Sequence, residues 1–260
     1  MSAARTRGWL ESAALLAAFV ALWWLASHLE WVSKVFVPTP EATLASLLQG
    51  LNLQPAAGAQ PGELAAFTAG TVQRMVLGWL LASLAGIVLG ALIGISRLAR
   101  TWLQPTLEFI RPLPASAVIP LAISIFGLSP AMVLSVVAFG AMWPVLLATV
   151  HGFASVEPRL REVAAALQMG RAAFILKIGL PSAMPDILAG MRLSMTVSLI
   201  VSIVGEMIAS QSGLGQAILL AARSFHASEL FAGIVLLGLI GFASNALLAV
   251  AEKGLLRWQA

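Results

Sequence analysis

The chain has no cysteine, which excludes disulfides and cysteine-ligated metals. Charge is scarce too: 15 Lys and Arg with 11 Asp and Glu make up only 10% of 260 residues, while 60% are hydrophobic and mean hydropathy is +0.94. No water-soluble globular domain of this size has that balance, so the sequence reads as a polytopic membrane protein. His28, His151 and His226 stand at the ends of different apolar runs and form no ligand pair at helical spacing, so neither a metal site nor a cofactor is indicated. Gly-x-Ser-x-Gly, His-Glu-x-x-His and phosphate-loop elements are all missing. The chain by itself therefore has no usual means of binding and hydrolysing ATP, and nothing convergent marks it as an enzyme. A net charge of +4 could suggest nucleic acid, but the basic residues fall in short segments between apolar runs, as in loops that share one membrane side.

What is present is a series of spans. Residues 9–26 are apolar apart from Glu11 and follow Arg5 and Arg7. The length of this run, Trp23 and Trp24 near its far end and the lack of a convincing small-x-small site favour a retained span over a signal peptide. Residues 32–70 form a mixed connection with Pro38, Pro40, Pro55 and Pro61 and a single basic residue, Lys34, which suits the outer side. Within it, residues 37–43 read as a turn into a helix, with Thr39 or Thr43 as the cap. Residues 75–95 carry no charge over 21 positions, enough to cross a core of about 30 Å at about 1.5 Å per residue. Gly86, Gly90 and Gly94 line one face there, a ridge for close approach of a neighbouring helix or of a second copy. Arg97 and Arg100 then mark an inside turn.

Residues 104–129 form the third expected span, crowded with Arg111, Pro112, Pro114 and Pro120. Prolines at this density free backbone groups that lipid cannot satisfy, so the segment is expected to line a translocation path. Two readings of Arg111 stand, a functional intramembrane charge and an interfacial side chain reaching the inner headgroups. Residues 131–150 are the fourth span and residues 193–205 continue the fifth, where Ser194, Thr196, Ser198 and Ser202 are expected to bond back to the preceding turn. Glu206 closes that span and has three possible roles: bonding neighbouring amides, pairing with Arg223, or lining an outer gate. Residues 230–251 are the sixth span, followed by Lys253 and Arg257. Arg5, Arg7, Arg97, Arg100, Arg159, Arg161, Arg171, Lys177, Lys253 and Arg257 share one side, against Lys34, Arg74 and Arg223 on the other, which places both termini inside.

Residues 157–192, EPRLREVAAALQMGRAAFILKIGLPSAMPDILAGMR, are the longest charged interruption. Pro158 suits a first helical turn, Glu157 stands four residues before Arg161 for an ion pair, and Leu160, Val163, Ala164 and Leu167 recur on one side. The expected result is an amphipathic surface helix, a turn near Gly170, and a second short helix that ends at Gly179 and Pro181, with Pro185 opening the next apolar segment.

This stretch resembles the EAA loop in permease subunits of bacterial ABC importers, in which Glu and two small residues precede a Gly and then Ile-x-Leu-Pro. The matches are Glu162, Ala164, Ile178, Leu180 and Pro181, while Val163 replaces a small residue and Gln168 stands where the Gly belongs, with Gly170 two positions later. The string RPLPASAVIPLAISIFGLSP, the VPTPEAT element and the Glu206 to Gly215 stretch resemble the nitrate, sulfonate, taurine and bicarbonate class of these permeases. The resemblance implies an all-α polytopic membrane protein of the type I ABC importer permease fold, with six transmembrane helices. The implied layout is an N-terminal tail, first helix and outer loop over 1–66, a transmembrane domain over 67–252 with the loop at 155–185, and a tail over 253–260. It implies a bacterial inner-membrane location, a second permease copy, an ATP-binding subunit docked on the loop, and a periplasmic or lipid-anchored substrate-binding protein. Coupling would fall to Glu162, Val163, Ala164, Gln168, Gly170, Ile178, Leu180 and Pro181, and the path to Arg111, Pro112, Pro114, Pro120 and Glu206. The implied cargo is a small oxyanion such as nitrate, taurine or an alkanesulfonate, with thiamine-precursor pyrimidines as a related possibility. The competing reading, a secondary carrier driven by an ion gradient, is opposed by the few carboxylates within spans and by the absence of visible inverted repeats with matching broken helices.

Overall fold

The computed structural model describes residues 3–29, 31–51 and 63–256. Pro55, Pro61 and Arg257, read from the sequence as parts of the outer connection and inner tail, lie outside these residues. Eleven α-helices and no strand occur among the described residues. Among the described residues five helices are long and apolar enough to cross a membrane, or six if one bent pair counts as a single span. The chain divides into two compact units, residues 1–68 with 216–238, and residues 69–215 with 239–260.

In the first unit, α1 (Ala3–His28) is followed by α2 (Pro40–Gly50), which starts where the sequence reads as a turn into a helix. Its start is written in the VPTPEAT element: Pro40 occupies the first turn, and the Thr39 hydroxyl accepts from the Ala42 amide at 3.2 Å. Trp23 and Trp24 tie the end of α1 to this corner. The Trp23 indole donates to the Pro38 carbonyl at 2.9 Å and the Trp24 indole to a Glu41 carboxylate oxygen at 2.7 Å.

The second unit is built on α6 (Pro130–Ala154), apolar on every side and started by Ser129, whose hydroxyl accepts from the Met132 amide. On one flank lies α3 (Glu63–Ile95), which begins twelve residues earlier than the expected second span. Its glycine ridge meets α6 of the same chain. A Cβ on Gly90 would sit 2.6 Å from the Thr149 Cβ and 2.7 Å from the Leu146 carbonyl oxygen, so only glycine permits this approach. On the other flank lies α9 (Leu180–Ala209), where Gly190 nests against Ala148 and the Pro144 carbonyl. The Trp79 indole of α3 donates to the Met191 carbonyl of α9 at 2.9 Å. Ser198 bonds back to the Met195 carbonyl as expected, whereas Ser194 reaches across to the Ala141 carbonyl of α6 at 2.6 Å. A small hydroxyl at this close crossing reaches a carbonyl of the neighbouring helix instead of one on its own preceding turn.

The third expected span is not one helix. α4 (Arg97–Ile110) and α5 (Ile119–Phe126), with a 3-10 turn at Ala115–Val118 before α5, are bent by 84°. Pro112 and Pro114 lack the amides that would continue α4, and Pro114 is extended, at φ −61° and ψ 129°. Pro120 instead fits the first turn of α5.

Between α6 and α9 come α7 (Pro158–Ala166) and α8 (Arg171–Phe174). The second helix of the charged stretch does not end at Gly179 and Pro181. A π-turn over Ile175–Gly179 joins α8 to α9, Pro181 lies in the first turn of α9, and Pro185 lies inside it. The wider turn changes the hydrogen-bond register just where Pro181 brings no amide. α10 (Leu214–Arg223) and α11 (Ala227–Leu255) complete the chain.

Candidate functional site

Three arrangements could carry function, and the first is the loop at α7. Pro158 opens the helix, as its fixed φ favours, but Arg161 does not pair with Glu157. Its guanidinium donates to the Phe153 and Ala154 carbonyls at 3.1 and 3.3 Å, capping the last turn of α6 and so fixing where α7 leaves it. Of the expected apolar side only Ala164 is buried. Leu160, Val163 and Leu167 are 37%, 50% and 68% exposed, and Glu162 is exposed beside them. α7 then ends in a Schellman motif: the Met169 amide donates to the Ala164 carbonyl at 2.9 Å and the Gln168 amide to the Ala165 carbonyl at 3.0 Å. That motif needs a left-handed residue, and Gln168 supplies it with φ 50°. The position where the EAA pattern has Gly thus demands a conformation that glycine takes freely and glutamine takes at a cost of about 1 kcal/mol. Gly170, in contrast, is extended, with φ −65°. Ile178 and Leu180 are half-buried on either side of buried Gly179, and Pro181 follows.

The second arrangement surrounds Glu206, which is fully buried. Its partner is Arg74, not Arg223: Arg74 donates through Nε at 2.9 Å and Nη2 at 2.7 Å to Oε1. The other carboxylate oxygen accepts from the Thr71 hydroxyl and the Gly215 amide, both at 2.9 Å. Arg74 also donates to the Ser212 carbonyl, and the Thr71 oxygen accepts from the Leu214 amide. One carboxylate therefore binds α3, the end of α9 and the turn into α10. The turn fits tightly around it, for a Cβ on Gly213 would lie 2.4 Å from the Glu206 carboxyl carbon. The charges neutralise one another in a pair where two guanidinium N–H groups converge on one carboxylate oxygen, which makes burial tolerable.

The third is a cavity of about 510 Å³ beside the α4 to α5 bend, lined by α6 and α9. Arg111 and Ser116 bring polarity, Trp143 an indole, and Leu113, Leu147, Leu193 and Val197 apolar wall. Pro112, Pro114 and Pro120 shape the bend without lining the cavity, and Glu206 is not part of it.

Over residues 82–257 the chain matches the family described as the binding-protein-dependent transport system inner membrane component. The chain belongs to this family. It is 32% identical to the Bacillus subtilis permease protein SsuC, named for aliphatic sulfonates transport, across 97% of this chain and 88% of that one. It is 29% identical to the taurine transport system permease protein TauC of Escherichia coli, across 94% and 87% of the two chains. The nitrate import permease protein NrtB of Leptolyngbya laminosa is 32% identical over 69% of this chain and 64% of its own. Among solved structures, the inward-facing MetNI methionine ABC transporter superposes with TM-score 0.66 over 74% of this chain and 96% of that chain, at 17% identity. An amino acid ABC transporter crystallised with histidines gives TM-score 0.57 at 20% identity, over 74% and 91%. These likenesses concern the fold, that of the type I ABC importer permease. The permease is a multi-pass membrane protein and a non-enzymatic transport subunit, which works with an ATP-binding subunit and a substrate-binding protein.

Some of the permease's polar residues escaped the sequence reading. By sequence Arg74 is only an outer-side charge, whereas on α3 it meets the buried Glu206. Arg192 on α9 pairs with Glu252 on α11, and neither had been assigned a partner. Arg97, Thr101, Gln104, Glu108 and Arg111 recur every three or four positions along α4, a polar stripe masked when residues 104–129 are read as one span. No residue of α4 is buried.

Proposed function

We propose that this permease is the translocation subunit of an ATP-driven importer of small oxyanions, driven through an ATP-binding subunit seated on α7. The observation that carries the docking is the outward face of that helix: Leu160, Val163 and Leu167 lie open beside exposed Glu162, although the rest of the loop is tied down by Arg161 and the Gln168 turn. A short helix with an unpartnered apolar face and one carboxylate has the make-up of the centre of a protein interface. Glu162, Val163 and Ala164 form the contact segment, Gln168 and Gly170 its return turn, and Ile178, Leu180 and Pro181 the passage into α9. Closure of the ATP-binding subunits moves α7, the continuous α8 to α9 helix transmits that movement, and the Arg111 region opens alternately to either side.

The oxyanion cargo is inferred from the names of the sulfonate, taurine and nitrate relatives. Two permease copies pair in the assembly, both termini lie in the cytoplasm, and the basic residues from Arg97 to Lys177 face the same side. Residues 67–252 are the transport domain, flanked by the 1–66 and 253–260 segments. Arg111, Pro112, Pro114 and Pro120 shape the path, with Glu206 holding its outer end together. The test is uptake into proteoliposomes. The account expects transport only when ATP, the ATP-binding subunit and the binding protein are all supplied, whereas transport on an ion gradient alone would contradict it. Glu162→Ala is expected to weaken capture of the ATP-binding subunit by about fivefold to tenfold.

A further inference from the structure

The arginines near or within the spans of the second unit are not equivalent. Arg74 has Glu206 and Arg192 has Glu252, but the Arg111 side chain has no hydrogen-bond or ion-pair partner among the described residues. It sits at the cavity described above, whose lining contains no carboxylate. The cavity lies deep along the spans. Its α6 residues run from Gly140 to Leu147, ten to seventeen residues from the start of a 25-residue helix, and so about 15–25 Å along it. Arg111 is exposed where α4 ends and opens onto this cavity, so its guanidinium is free to pair with an anion that enters. A second polar group is also unspent. The Trp143 indole N–H is buried without an acceptor, in a residue only 9% exposed that lines the same cavity. The stripe of Arg97, Thr101, Gln104 and Glu108 runs along unburied α4 up to Arg111, and such side chains disfavour contact with hydrocarbon.

We propose that the permease itself binds its cargo here, with Arg111 holding the head of an organic oxyanion and Leu113, Leu147, Leu193 and Val197 receiving an apolar tail. This rests on the oxyanion reading above and narrows it. One cation and no carboxylate suit a monoanion with an alkyl chain, and give the ammonium of a zwitterion such as taurine nothing to pair with.

The test reads binding to the permease without its binding protein. The chain lacks cysteine, so Ser116→Cys places a single thiol in the cavity lining while leaving Arg111 intact. In the detergent-solubilised complex of permease and ATP-binding subunit, the rate of modification by neutral N-ethylmaleimide is measured with added pentanesulfonate, taurine or pentylammonium. Pentanesulfonate is expected to slow modification, taurine to slow it less, and pentylammonium not at all. Adding Arg111→Gln is expected to weaken the protection by about tenfold or more, while Arg111→Lys retains part of it. Absent protection, equal protection by pentylammonium, or protection unchanged by Arg111→Gln would overturn the site. The importer reading stands or falls separately, on whether uptake needs ATP and the binding protein.

Discussion

Removing the Glu206 carboxylate would strand the Arg74 guanidinium, 15% exposed, together with the Thr71 hydroxyl and the Gly215 amide that it now satisfies. Glu206→Ala is therefore expected to destabilise the protein by about 3–5 kcal/mol, and combining it with Arg74→Ala to cost less than the two single changes summed. Thermal unfolding in detergent checks both. Gln168 is a case of the opposite sign. Its φ of 50° favours glycine, so Gln168→Gly is expected to raise stability by about 1 kcal/mol and Gln168→Ala to give no such gain. Glu41 offers a pH test. Its own backbone amide, with the Trp24 and Thr39 side chains and nearby His28, holds its carboxyl below the usual carboxylate range. A lowered folded value means that its contribution is present above the ordinary carboxylate pKa and fades as pH falls through the lowered one. Wild type should lose more stability than Glu41→Gln on acidification below about pH 4. Residue types were legible in the sequence and pairings were not: Glu206 stood out as a lone carboxylate, but Arg74, 132 residues away, becomes its partner only when α3 lies beside α9.

At the scale of elements, the apolar runs declared themselves because lipid leaves helices few alternatives. The starts of α2 and α7 were equally readable, since Thr39, Pro40 and Pro158 act through local backbone chemistry. The breaks were harder. Prolines at 112 and 114 do end a helix, whereas Pro181 and Pro185 sit within α9, and what separates the cases is the π-turn and the packing around Gly179, which no dipeptide reports. The ridge on α3 left its partner open, and close contact with α6 supplies it. Gly90→Val should force α3 and α6 apart and destabilise the protein by about 1–3 kcal/mol, read as a lowered midpoint of thermal unfolding, because the added carbons meet the Thr149 side chain and the Leu146 carbonyl.

At the scale of the whole molecule, the account joins a helix bundle without ATP-binding machinery to an exposed amphipathic helix through which the driving force enters. Family membership establishes the transport role, while the exposed Leu160, Val163 and Leu167 give α7 a surface for a partner. Everything then depends on α7 facing the compartment that holds ATP. The most direct measurement uses Ala165→Cys, an exposed position on α7 and the sole thiol of the chain, with a membrane-impermeant maleimide. The account predicts no labelling of intact cells, labelling of inside-out vesicles stripped of the ATP-binding subunit, and protection when that subunit is added back. Labelling from outside intact cells, or labelling of stripped vesicles that the added subunit leaves unchanged, would contradict it.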